Sequence, residues 1–194
     1  MSELEEFFEQ NVEGFLFHDL DQLYKTDASY PTVLACFAGI ELMGALIYPE
    51  PFNRDDGRLY FNDYWTRFLY PDIANTKQIC QDVYKFVRHG LAHAYVLKGP
   101  FGIGQTVAEQ HLTHGTDGVV RLDARRFVDD LKKSYSERVL RAVATDLALS
   151  TQMRAQLRRM RTQYKEDAKG LRTEKYEQAS TPAATPAVSQ SFRP

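Results

Sequence analysis

The stretch that most constrains this chain is Thr32 to Tyr48, which is apolar on nearly every side. A helix without a polar face needs neighbours all round, so it has to be the central, buried helix of a bundle. Gly39 and Gly44 leave room for another helix to approach it closely. Glu41 is the exception. A carboxylate there must find a partner, because a lone buried charge costs several kcal/mol even after relaxation. Two readings stay open: a purely architectural ion pair or hydrogen bond, and a group that orients Arg88 or a histidine from behind.

The rest of the chain supplies helices to surround it. Ser2 and Glu5 form a capping box for a helix from Glu3 to about Lys25, with Leu4, Phe7, Val12, Leu16 and Leu20 at helical spacing. Pro49 to Asn62 reads as an irregular connection, and Asp63 to Leu69 as a short aromatic helix capped by Asn62. Phe101 to Val120 predicts a β-hairpin about the turn Thr113–Gly118, with His111 and His114 exposed near its tip. Asp123 caps a long helix from Ala124 to about Lys165. The expectation is an all-α bundle over residues 1–165 with a small hairpin at about 103–122. A Ser-, Thr- and Pro-rich tail, expected to be disordered, covers 166–194.

Asn75 to Lys98 reads as one amphipathic helix whose stripe, Ile79, Val83, Phe86, Val87, Gly90 and Ala94, turns to the core. Arg88 falls nearly opposite that stripe, and His89 and His93 stand one turn apart on its flank. Cutting RNA without a metal needs a base for the 2′-hydroxyl and an acid for the leaving 5′-oxygen. It also needs a cation for the charge that builds on the phosphoryl oxygens. An imidazole titrates near neutrality, and a guanidinium bonds two oxygens without losing its charge. Residues five apart on a helix point about 140° away from each other, so one chain presents Arg88 and His93 on different sides. Two motif helices paired in a homodimer would gather two of each around one cleft.

Phe86-Val87-Arg88-His89-Gly90-Leu91-Ala92-His93 resembles the Arg-x4-6-His motif of HEPN domains, a family of all-helical ribonucleases and RNA-binding modules. His89 fills the position after the arginine where that family favours a polar residue. The order of apolar helix, motif helix and long helix extends the resemblance from about Glu3 to Tyr164. It implies a HEPN-like bundle and a metal-independent endoribonuclease that works as a homodimer on RNA with no cofactor. Arg88 and His93 would be catalytic, with His89 a supporting group or second proton carrier and Glu41 behind them. Family analogy adds an antitoxin or regulatory partner protein and a toxin or defence setting. Many members of the fold do not cut, so a non-catalytic RNA- or nucleotide-binding or assembly module is the alternative.

Charge is unevenly spread. Residues 1–60 carry 3 Lys/Arg against 12 Asp/Glu, and residues 121–194 carry 16 against 9, within a net charge of −2. That balance argues against a dedicated, tight nucleic-acid binder but suits an enzyme that engages RNA transiently. Arg154, Arg158 and Arg159, with Arg161 and Lys165, form a basic segment that reads either as a phosphate-backbone contact or as a solvated helix end. His89 and His93 at i, i+4 also suit a zinc pair, with His111, His114 or Glu41 as a third ligand, although no Glu follows the first His. Cys36 and Cys80 read as buried thiols, and the apolar run Val33 to Tyr48, interrupted by Glu41, is too short to span a bilayer. With no basic leader at the start, the expectation is a cytoplasmic protein without a membrane segment.

Overall fold

Helix α3 (Ser29–Ile47) is the axis of the structure, with Val33, Cys36, Ile40, Leu46 and Ile47 fully enclosed. The computed structural model describes residues 2–105, 108–113 and 115–171. Helix makes up 75% and strand 5%, so the fold is all-α, as the apolar periodicities predict. Two units divide the chain, residues 1–159 and 160–194. The second is described only as helical turns, in which the Lys169 ammonium meets the Glu166 carboxylate at 2.6 Å. The site described below lies in the first.

Helices α1 (Glu3–Phe7) and α2 (His18–Tyr24) are joined without a break by a π-helical stretch, Phe8–Phe17. The capping box is formed: the Ser2 amide donates to Glu5 Oε2 at 2.6 Å, and the Glu5 amide to Ser2 Oγ at 3.3 Å. Helix α4 (Gly57–Tyr64) continues into the π-helical turn Trp65–Leu69. It therefore starts earlier than Asp63. Asn53, not Asn62, opens it, accepting from the Asp55 amide at 3.2 Å and starting a 3₁₀ turn that runs into the helix. Close packing on α3 is what extends it: a β-carbon on Gly44 would overlap the Tyr60 carbonyl oxygen. Gly44 thus lets two backbones touch, as its position in the apolar run predicts.

The motif helix is α5 (Thr76–Asp82), a π-helical turn Val83–Arg88, and α6 (His89–Ala94). It ends earlier than Lys98, at Tyr95 in the left-handed conformation (φ 53°). Its wide turn moves the buried stripe to Cys80, Val83, Tyr84, Val87, Gly90 and Leu91, leaving Ile79 and Phe86 half-buried and Ala94 exposed.

The two strands differ from the predicted hairpin. β1 (Phe101–Gly104) and β2 (Val120–Asp123) pair in parallel, Phe101 opposite Val120. The first strand of the hairpin was expected at 105–109, but Ala108–Gln110 is a 3₁₀ turn, and Thr106, Val107 and His114 lie outside the described residues. A parallel pair needs a long connection, in contrast to the tight turn of a hairpin. Asp123 caps α7 (Ala124–Ser134) by accepting from the Arg126 amide at 2.8 Å. The long helix expected from Ala124 is interrupted: a π-helical turn and α8 (Leu140–Thr145) follow, and Asp146 breaks the run with extended torsions. Asp146 Oδ1 then caps α9 (Leu147–Leu171), accepting from the Leu149 amide at 3.0 Å. Helix α9 runs past residue 166, where the tail was expected to begin, and residues 172–194 lie outside the described residues.

Long polar side chains close the helix ends. Gln152 Nε2 donates to the Ile47 carbonyl at 2.6 Å and Gln156 Nε2 to the Tyr48 carbonyl at 2.7 Å, satisfying the last turn of α3 from α9. Arg138 Nη1 does the same for Phe68 and Leu69, at 2.7 and 3.0 Å.

Candidate functional site

Glu41 on α3 faces Arg88 on the motif helix. Arg88 Nε donates to Glu41 Oε1 at 2.8 Å and Nη2 to Oε2 at 3.2 Å, a side-on fork that leaves Nη1 without a hydrogen-bond partner among the described residues. Each side chain keeps about a quarter of its surface, 26% for Arg88 and 21% for Glu41. Arg88 Cζ lies 5.6 Å from the centre of the Tyr84 ring. Burial works against the Arg88 charge, but the hydrogen bonds and charge of Glu41 outweigh it and raise its pKa. Burial and the Glu41 charge raise the Tyr84 phenol as well. The carboxylate in the apolar helix therefore has its partner, and that partner is the motif arginine.

The two histidines are exposed on the same helix. Their ring centres lie 5.4 Å apart, and the His89 ring meets Tyr84 edge-on at 5.2 Å. Desolvation first, then the positive charges around it beginning with Arg88, hold His89 below its ordinary pKa, which favours the neutral, proton-accepting form. Arg88, His89 and Glu41 thus come together, with His93 one turn further along the exposed flank.

The other candidates lie apart from this group. Arg158 pairs with Glu3 at 3.0 Å, Arg159 Nη1 donates to Gln156 Oε1 at 3.4 Å, and Arg154 is half-buried. Arg158 and Arg159 remain exposed on α9, away from the motif helix's cleft. His111 is not at an exposed tip: its side chain is 7% exposed. Its Nδ1 accepts from the Asp123 amide at 3.0 Å, its Nε2 meets Tyr70 Oη at 2.9 Å, and Tyr70 Oη donates to Asp130 Oδ2 at 3.0 Å. This chain ties the crossover to α7 beside a cleft of about 490 Å³. With Glu41 held by Arg88 and His111 held there, neither stands as a third ligand to the histidine pair. Among the described residues no group of three or more His, Cys, Asp or Glu is placed to hold a metal.

A cleft of about 690 Å³ runs along the motif helix beside Tyr84 and His89. Arg58 from α4 and Lys85 and Lys98 from the motif region line it. These cations are scattered through the sequence, and no periodicity marks them as one group.

Family models, curated proteins and solved structures were all compared with this chain, and none matches it. Among the described residues one helix, Ser29–Ile47, is long and apolar enough to cross a membrane, longer than the run Val33 to Tyr48 suggested; in this fold 61% of its most apolar window is buried.

Proposed function

We propose that the protein is a metal-independent endoribonuclease of HEPN type, with Arg88 neutralising phosphoryl charge and His93 and His89 moving protons at a homodimer interface. The observation that carries this reading is the Arg88 guanidinium. Glu41 grips it through Nε and Nη2, and its free Nη1 edge stands on a helix that also exposes two imidazoles. Held from behind, it can meet a phosphoryl oxygen with little loss of side-chain entropy.

The chemistry balances with these groups. A neutral imidazole takes the 2′-hydroxyl proton as that oxygen bonds to phosphorus. The P–O5′ bond breaks, and a protonated imidazole from the facing protomer returns a proton to the leaving oxygen, giving a 2′,3′-cyclic phosphate and a 5′-hydroxyl.

A second reading, a non-catalytic RNA-binding or assembly module of the same type, is favoured by one observation: Glu41 already occupies the arginine fork that a phosphate would engage bidentately. The deciding experiment is RNA cleavage in excess chelator by the wild type, Arg88→Ala and His93→Ala, with sedimentation of each. Cleavage with cyclic-phosphate ends by a dimer, falling at least about 100-fold in both variants, supports the nuclease. A folded wild type that cuts no RNA, or a strict monomer that does, removes it.

A further inference from the structure

The cleft beside His89 has an unbalanced lining. Arg58, Lys85 and Lys98 stand around it against one carboxylate, Asp82, which already accepts from Gln78 Nε2 at 3.1 Å. All three cations are exposed, and none has a carboxylate partner among the described residues. Elsewhere on the surface Arg67, Arg121, Arg126, Lys132, Arg138 and Arg158 each pair with an acid. In an acidic chain, a local surplus of unpaired cations in a concave site focuses positive potential.

The cleft is also built. Arg58 and Asn62 sit one turn apart on α4, while Gln78, Gln81 or Asp82, Lys85 and His89 follow one face of the motif helix. Lys98 joins them because the chain doubles back after Tyr95. The Val96 amide donates to Gly90 O at 3.2 Å and the Lys98 amide to Phe86 O at 3.1 Å, and a side chain at Gly90 would overlap the Val96 carbonyl. Bases find little to stack on. Phe86 is covered by Phe101 (6.0 Å between ring centres), by Gly99 and by the Lys85 ammonium at 4.9 Å, and Tyr84 is buried.

We infer that this cleft is a backbone-reading track for single-stranded RNA, in which Arg58, Lys85 and Lys98 bind successive phosphates of the strand leading to Arg88. The track rests on the reading of Arg88 given above for its choice of a polynucleotide over a free anion. Its volume of about 690 Å³ suits a few units of a single strand better than a duplex. With three cations and only the His89 ring open to a base, recognition is chiefly electrostatic and largely indifferent to base and sugar.

The test is fluorescence anisotropy with a labelled 2′-O-methyl oligouridylate of about twelve nucleotides, which lacks the attacking hydroxyl and stays uncut. Binding is followed from low to moderate salt for the full-length wild type, the triple variant Arg58→Ala/Lys85→Ala/Lys98→Ala, and Lys25→Ala as a control for net charge. Each phosphate contact contributes about 0.7 to the slope of log affinity against log salt, so the triple variant should lose roughly 2 units of slope. At low salt its affinity should fall by at least about tenfold, with Lys25→Ala near wild type and single-stranded DNA competing as well as RNA.

An unchanged slope in the triple variant overturns the track and leaves the nuclease reading standing if Arg88→Ala still abolishes cleavage. Uridine monophosphate binding as tightly as the oligomer, or no oligomer binding by the wild type, overturns it too. Loss of cleavage assignment with the slope effect intact would leave the track and remove the nuclease.

Discussion

Glu41 and Arg88, 47 positions apart in the chain, share a two-bond fork at 2.8 and 3.2 Å across the contact between α3 and the motif helix. A partner removed singly leaves the other desolvated. Arg88→Ala and Glu41→Ala should each lower stability by about 1–3 kcal/mol, and Arg88→Lys should not restore the loss, since an ammonium cannot fill both bonds. A double-mutant cycle by urea unfolding should give a coupling above about 0.5 kcal/mol. Strict additivity would mean that the pair contributes nothing to folding.

His111 predicts an acid-sensitive fold. Burial pushes its pKa down to about 4, against opposing pulls from Asp130 and Asp123 and with Arg126 assisting. The unfolded chain takes up this proton near pH 6.5 while the folded chain resists until about 4. Stability is therefore complete above pH 6.5 and declines as pH falls from there to about 4. The shift corresponds to roughly 3 kcal/mol. Urea unfolding at stepped pH should show a steeper decline for wild type than for His111→Gln, which has no proton to gain. Parallel curves would assign the acid sensitivity elsewhere.

Gly44→Ala should be among the most damaging single-methyl changes, because its β-carbon meets the Tyr60 backbone rather than a movable side chain. A loss of about 2–4 kcal/mol is expected in thermal or urea unfolding. A loss below about 0.5 kcal/mol would show that α4 can slide along α3.

Gly90→Ala acts on the returning segment instead. Its methyl would displace Val96 and with it Lys98, so the Lys98 amide, which donates to Phe86 O at 3.1 Å, should exchange its hydrogen faster. RNA affinity should drop by about as much as in Lys98→Ala, since both remove one cation from the cleft. Unchanged exchange would show the segment accommodating the methyl in place.

Much of the scaffold was legible in the residues. The all-round apolarity of Thr32 to Tyr48 marked the buried helix, the Ser2 and Glu5 box and the Asp123 cap are formed, and Gly44 does admit a neighbouring backbone. The misreadings have separate causes. Across the π-helical turn Val83, Val87 and Gly90 stay inward as predicted, but Cys80, Tyr84 and Leu91 take the buried places expected of Ile79, Phe86 and Ala94. An aspartate inside a long periodic run, Asp146, can cap a new helix as readily as sit on an exposed face. Parallel pairing of β1 with β2 leaves a sequence pattern much like that of the predicted hairpin.

What the sequence by itself determined is the all-helical character, the central helix and the presence of Arg88, His89 and His93 on a single element. Those follow from local periodicity and capping, which reach only a few residues along the chain. Tertiary structure decided the partners. Glu41 closes on Arg88, His111 on Tyr70 and Asp130, and Arg58 gathers with Lys85 and Lys98, because the packing of helices distant in sequence sets which side chains share a cleft. Charge and hydrogen bonding act through space over a few ångströms, and no spacing along the chain encodes that distance.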